Sequence, residues 1–177
     1  MMAAHWLALF VAAWLGAAGE PTEVHVSTVA RDGRVHVSCT VTGGLTPDLE
    51  QALQSGLTTT LTYDVELRRA VSVWFDRAVA ASTVSASARF DTLTGRYQVS
   101  RSVDGRMEDS RVSELRGDVE RFVTSFDRLP LFGTAALEAN VEYVVRVRLR
   151  ARPRVNWFLW PFNRSDASGI ARFTFIL

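Results

Sequence analysis

Five arginines, Arg146, Arg148, Arg150, Arg152 and Arg154, recur at every second position. That is the spacing of side chains on one face of a β-strand, and carried past Pro153 it spreads five guanidinium groups over about 26 Å. Such a ladder can bind anions, because the guanidinium fork matches phosphate and carboxylate oxygens. The plainer reading is a solvated strand face whose arginines pair with Asp64 and Glu66 on a neighbouring strand. Directly afterwards, Trp157, Phe158, Leu159, Trp160 and Phe162 crowd the interval between Arg154 and Arg164. Trp and Arg at a loop tip suit a membrane interface or a protein contact. The other reading folds this loop over an open end of the sheet as core. Pro153 and Pro161 argue against a regular central strand there.

The inventory for catalysis is thin. Beyond the N-terminal region the histidines are His25 and His36. The hairpin register derived below separates them by about 13 Å, too far to share a metal ion or a proton. Cys39, the only cysteine, falls on the opposite strand face from His36 and is expected to be buried. Trp74-Phe75-Asp76-Arg77 can hold a ligand through Asp76 and Arg77, or form a bend whose aromatics plug the core. No Gly-x-Ser-x-Gly, phosphate-binding loop or paired-Cys motif is present. No metal set, cofactor or catalytic group is therefore assigned. Two carboxylates meeting in a cleft through folding stay open as a hydrolase alternative.

Composition narrows the class further. The 20 basic residues are all Arg, and against 19 acids the net charge is +1, so no bulk charge draws the chain to nucleic acid. One cysteine allows no internal disulfide, which leaves the apolar core to hold the fold. Residues 1–19 contain no Asp, Glu, Lys or Arg and place an apolar run, Trp6 to Leu15, before Gly16-Ala17-Ala18-Gly19. This has the shape of a signal peptide, expected to be cleaved near Gly19, with an uncleaved anchor as the alternative. Cleavage would leave residues 20–177 as a single β-rich domain with no transmembrane span. The expected location is outside the cytoplasm, in the periplasm or cell envelope.

The positioning elements follow from periodicity. Residues 24–30 and 34–42 form a hairpin around Asp32-Gly33, pairing Ala30 with Val35, Thr28 with Val37 and Val26 with Cys39. Val24, Val26, Thr28, Val35, Val37, Cys39 and Val41 then share the inward face. A short helix starts with Thr46 as cap and Pro47 at its first position, buries Leu49, Ala52 and Leu53, and stops at Gly56. Residues 57–69 alternate as a long strand with one wet face. Strands follow at about 79–90 and 96–103, with Asp104-Gly105 as a tight turn. Val112, Leu115, Val119, Phe122, Val123 and Phe126 recur at helical steps, which predicts a helix over 110–126. Residues 140–152 and 169–177 read as strands. The expected class is mainly β (α+β): an antiparallel sheet, sandwich or half-barrel with two short helices, in the order ββ-α-βββ-α-ββ.

The chain resembles a bacterial family known as domain of unknown function 4390. The resemblance runs through the helix Pro47–Gly56, the strand Leu61–Leu67, Trp74–Arg77, Arg89–Tyr97, the Arg-rich strand Val145–Arg152 and the closing Arg172–Phe175. It implies an exported protein of the bacterial envelope. Genes of some members lie near those of a nitrogen-type sensor kinase, which the resemblance names as a candidate partner. It carries over no catalytic residue. The aromatic cluster at 157–162 departs from the family's pattern.

These readings converge on a non-catalytic binding or adaptor domain that attaches to an anionic membrane surface or envelope partner. Trp157, Phe158, Trp160, Phe162 and Arg164 would insert, and Arg146, Arg148, Arg150, Arg152 and Arg154 would meet the anions. A carrier of an apolar small molecule is the second alternative, beside the hydrolase.

Overall fold

The computed structural model describes residues 22–70, 77–153 and 167–176. Two antiparallel sheets face each other. The smaller is formed by β1 (Glu23–Arg31), β2 (Arg34–Thr42) and β7 (Ser125–Gly133), in the order β1-β2-β7. The larger contains β3 (Thr59–Arg69), β4 (Arg77–Asp91), β5 (Arg96–Val103), β6 (Arg106–Ser113), β8 (Val141–Pro153) and β9 (Ala167–Phe175), in the order β6-β5-β4-β3-β8-β9. Helices α1 (Pro47–Gln54) and α2 (Arg116–Thr124) complete the described residues. Among the described residues this is a mainly β sandwich with no closed barrel.

Alternation decides what meets between the sheets. Val35, Val37, Cys39 and Val41 from β2 face Leu61, Tyr63, Val65 and Leu67 from β3, and all eight are buried. The Tyr63 ring meets Phe126 edge-on at 5.3 Å, and its hydroxyl donates to the Val123 carbonyl, so this buried phenol is satisfied. The first hairpin has the expected register, including Ala30↔Val35, Thr28↔Val37 and Val26↔Cys39. Its turn puts Asp32 at φ 52° and Gly33 at φ 73°, the pair of left-handed residues that matches strand twist. Thr46 caps α1 by accepting from the Leu49 amide at 3.4 Å, and Leu49 and Leu53 are buried, while Ala52 is half-buried.

The sheets close on one side and stay apart on the other. Edge strands β1 and β9 pack together without sharing a ladder. A Cβ at Gly169 would lie 2.3 Å from the Val24 carbonyl oxygen, so only glycine lets β9 cross there. On the opposite side, α2 packs mainly against β4 and β5 and also touches β6 and β7.

The segment expected to be one helix over 110–126 is divided among three elements. Residues 110–113 end β6, α2 spans Arg116–Thr124, and Ser125–Phe126 begin β7. The turn at Asp104 and Gly105 takes φ 49° and 80°, which folds Arg106–Ser113 back onto β5 before any helix starts. Val112 and Leu115, which fit the helical repeat, are 59% and 65% exposed, and the helix itself buries Val119, Phe122, Val123 and Thr124. Strand β7 was concealed by Pro130, which sits opposite His36 where the β2–β7 register shifts. As an edge strand, β7 tolerates the missing amide. The observed order is therefore ββ-α-ββββ-α-βββ.

Candidate functional site

Strand β5 alternates Tyr97, Val99, Arg101 and Val103 toward the interior, so parity drives an arginine into a core position. Arg101 is only 9% exposed. Its Nη2 donates to the carbonyls of Phe122 at 2.6 Å and Ser125 at 2.7 Å, the unsatisfied acceptors at the C-terminus of α2. The negative end of the helix dipole faces the same cation. Its guanidinium carbon also lies 4.4 Å from the centre of the Phe122 ring. Burial lowers the pKa of Arg101 from its ordinary value and Asp109 opposes that shift, yet an arginine stays charged. The Arg101 Nε is buried with no hydrogen-bond partner, and among the described residues no carboxylate forms an ion pair with this side chain.

Arg101 lines a cleft of about 430 Å³ between β5, β6 and α2. Arg111, Ser113, Asp118, Arg121 and Phe122 line it as well. Arg111 stands over the Phe122 ring at 4.6 Å and bonds Asp109 at 2.9 Å. Arg121 meets Asp118 at 3.2 Å, one turn away on α2. The cleft thus presents three guanidinium groups against two nearby carboxylates, Asp118 in its lining and Asp109 on Arg111, in a polar hollow where arginine forks are only partly screened. That arrangement can hold an anion.

A second cleft, about 250 Å³, is lined in part by Arg69, Arg77, Glu138 and Tyr143. There Glu138 pairs with Arg69 at 2.6 Å, and its amide donates to the Tyr143 hydroxyl at 2.9 Å. Each cleft contains one carboxylate, and each carboxylate is engaged by an arginine. The geometry for a pair of acid–base carboxylates is not assembled in either.

The arginine ladder lies where alternation requires. Val145, Val147 and Leu149 of β8 are buried, while Arg146 is half-buried and Arg148 and Arg150 are exposed on the other face. Arg148 is level with Asp64 and Arg146 with Glu66 on β3. Arg150 bonds Asp64, and Arg148 stands 3.9 Å from Glu66, which Arg68 also holds at 2.9 Å. Arg152 pairs in register with Thr60. Arg154, Trp157, Phe158, Trp160, Phe162 and Arg164 lie outside the described residues, as do Trp74, Phe75, Asp76 and the segment 1–19.

His25 is level with Thr40 and His36 with Val29, so the structure keeps the two histidines apart. His25 is exposed beside Glu23 at 3.4 Å. Burial pushes the Cys39 thiol up to about 12, so it is a core side chain and not a nucleophile. Among the described residues no three His, Cys, Asp or Glu side chains gather as a metal site.

The sequence of this chain matches the model of a recorded family. That model, described as Domain of unknown function (DUF4390), matches residues 22–153 of the 177. The chain belongs to this family. The matched span covers β1 to β8 and includes the whole Arg101 cleft, so the candidate site lies within the DUF4390 region. No curated protein and no solved structure matches the chain. Sequence reading missed Arg101, Arg111 and Arg121. Arg101 carried a legible signal, a charged residue at an inward position of an alternating strand. Arg111 and Arg121 carried none, because the strand–helix junction that joins them was read as one helix.

Proposed function

We propose that this DUF4390 protein is an exported, non-catalytic binding domain of the bacterial cell envelope that holds an anionic partner at the Arg101 cleft. One observation carries the reading: a buried, charged arginine without a carboxylate partner among the described residues, placed beside two more arginines in an open hollow. A cation this far from water is costly unless its charge is answered. The α2 carbonyls answer it in part, and a bound anion would complete the compensation. Export is supported by the charge-free apolar run of residues 1–19.

The test is ¹⁵N NMR of arginine side chains during titration with acetate and then inorganic phosphate. Resonances of Arg101, Arg111 and Arg121 should shift together, and R111A/R121A should abolish the response. Equal shifts at scattered arginines such as Arg34 and Arg106 would refute a site.

A second reading, attachment to an anionic membrane surface, is favoured by Arg148 and Arg150 on the solvent face of β8 and by the aromatic residues Trp157, Phe158, Trp160 and Phe162 that follow in the chain. Tryptophan fluorescence with neutral and anionic vesicles tests it. A blue shift confined to anionic vesicles and lost in W157A/W160A supports it, and no shift with either vesicle rejects it.

A further inference from the structure

The sheets have four edges, and three are accounted for. Strands β1 and β9 cover each other. Strand β7 is interrupted by Pro130, by register shifts and by Arg128 at φ 46°, which blunts it as a template for pairing. Strand β6 remains. Among the described residues no strand pairs with its outer edge. A register shift falls between Arg101 and Ser102 of β5, but from Asp109 to Ser113 the pairing with β5 is regular. Asp109, Arg111 and Ser113 are level with the inward residues Arg101, Val99 and Tyr97. A strand added beside this edge would therefore send alternate side chains to the same side as Arg111, into the hollow beneath α2.

We propose that β6 accepts an extended acidic peptide of a partner protein as an added strand, with an Asp or Glu side chain of that peptide held by Arg101, Arg111 and Arg121. This rests on the anion-binding reading of the cleft and names the partner's chemistry. Backbone hydrogen bonds to the β6 edge supply sequence-independent affinity, and the arginines select for acid at alternate positions. The exposed Val112 and Leu115 flank the edge as apolar anchors for the intervening residues. Helix α2, which follows β6 after two residues, forms the second wall of the groove.

The experiment uses the full ¹⁵N-labelled chain and an acetylated, amidated (Thr-Glu)₄ peptide, so that every carboxylate is a side chain. Backbone amides of Asp109–Ser113 and the Arg101 Nε–H should shift together. (Thr-Gln)₄ should bind about tenfold more weakly or worse, the scale of losing one charge-assisted contact. R111A/R121A should lose affinity to a similar degree, and because both side chains are solvent-facing the fold should survive. N-methylation of alternate peptide amides should abolish binding if the peptide pairs as a strand. Arginine shifts with acetate but no β6 amide shifts with (Thr-Glu)₄ would overturn strand addition and leave the anion site standing. Silence with both would overturn both. Concentration-dependent β6 shifts without peptide would assign the edge to a second copy of the chain and overturn the proposal.

Discussion

Replacing Arg101 by Met tests whether one buried cation joins α2 to the large sheet. Met fills a similar volume and keeps apolar packing on Phe122 but not the cation–ring attraction, so the loss is chiefly polar. Two charge-assisted bonds disappear, at 2.6 Å to Phe122 and 2.7 Å to Ser125. Each such bond contributes about 1.5–3 kcal/mol net. The two losses are not equal. The bond to Phe122 is buried, so its carbonyl would be left without a partner, whereas Ser125 is half-buried at the cleft wall and water can replace the donor. Adding about 1 kcal/mol for the arginine–ring contact, and counting the Ser125 bond at little, gives about 3 kcal/mol. For a protein of this size that corresponds to a fall in Tm of about 6–12 °C. The assay is urea unfolding with the slope m checked for constancy, since a changed slope would signal an altered denatured state. A loss below about 1 kcal/mol, or a gain, would refute the reasoning. It would show that removing the buried charge returns as much as the helix bonds supply.

Three further outcomes follow from local geometry. Gly169→Ala should cost about 2 kcal/mol, because the new methyl would meet the Val24 carbonyl at 2.3 Å and a backbone atom cannot rotate away. Urea unfolding checks this, and a loss under about 0.5 kcal/mol would mean β1 and β9 separate freely. Cys39 should resist thiol reagents in the folded state. Its pKa is raised by burial to about 12 from an ordinary value near 9, so its contribution to stability is complete below pH 9 and declines as pH rises through 12, by up to about 1.4 kcal/mol per pH unit. Labelling at pH 10 should proceed at the rate of unfolding, and faster labelling would place the thiol at the surface. Gly117→Ala, at a helical position where a Cβ meets nothing within 4 Å, should stabilise by up to about 0.5 kcal/mol in the same unfolding assay.

Much of this fold was legible because its signals are local. The Asp32-Gly33 turn sets the β1–β2 register by the left-handed conformations it needs, and Thr46-Pro47 starts α1 by satisfying its own first turn. Strands β3 and β8 announce themselves by strict alternation, and their wet faces do bring Asp64 and Glu66 to Arg150 and Arg148. The segment from Val112 to Phe126 was misread for a complementary reason. A spacing of three and four residues records that apolar groups recur, not that they bury against one surface. Val112 ends a strand in the open, Phe122 lies on a helix, and Phe126 reaches the core from the next strand.

By itself, the sequence determined the class of fold, the antiparallel pairing of its hairpin, the interior position of Cys39 and the exposed position of Arg148 and Arg150 on β8, because turn chemistry and period-two patterning act over a few residues. Tertiary structure alone decided that β1 covers β9, that among the described residues no strand pairs with the outer edge of β6, and that Arg101, Arg111 and Arg121 surround one hollow. Those outcomes depend on contacts between segments far apart in the chain. Arg101 shows the division most plainly: alternation turns it inward, but only the arrival of α2, with its terminal carbonyls, lets a charged side chain stay there.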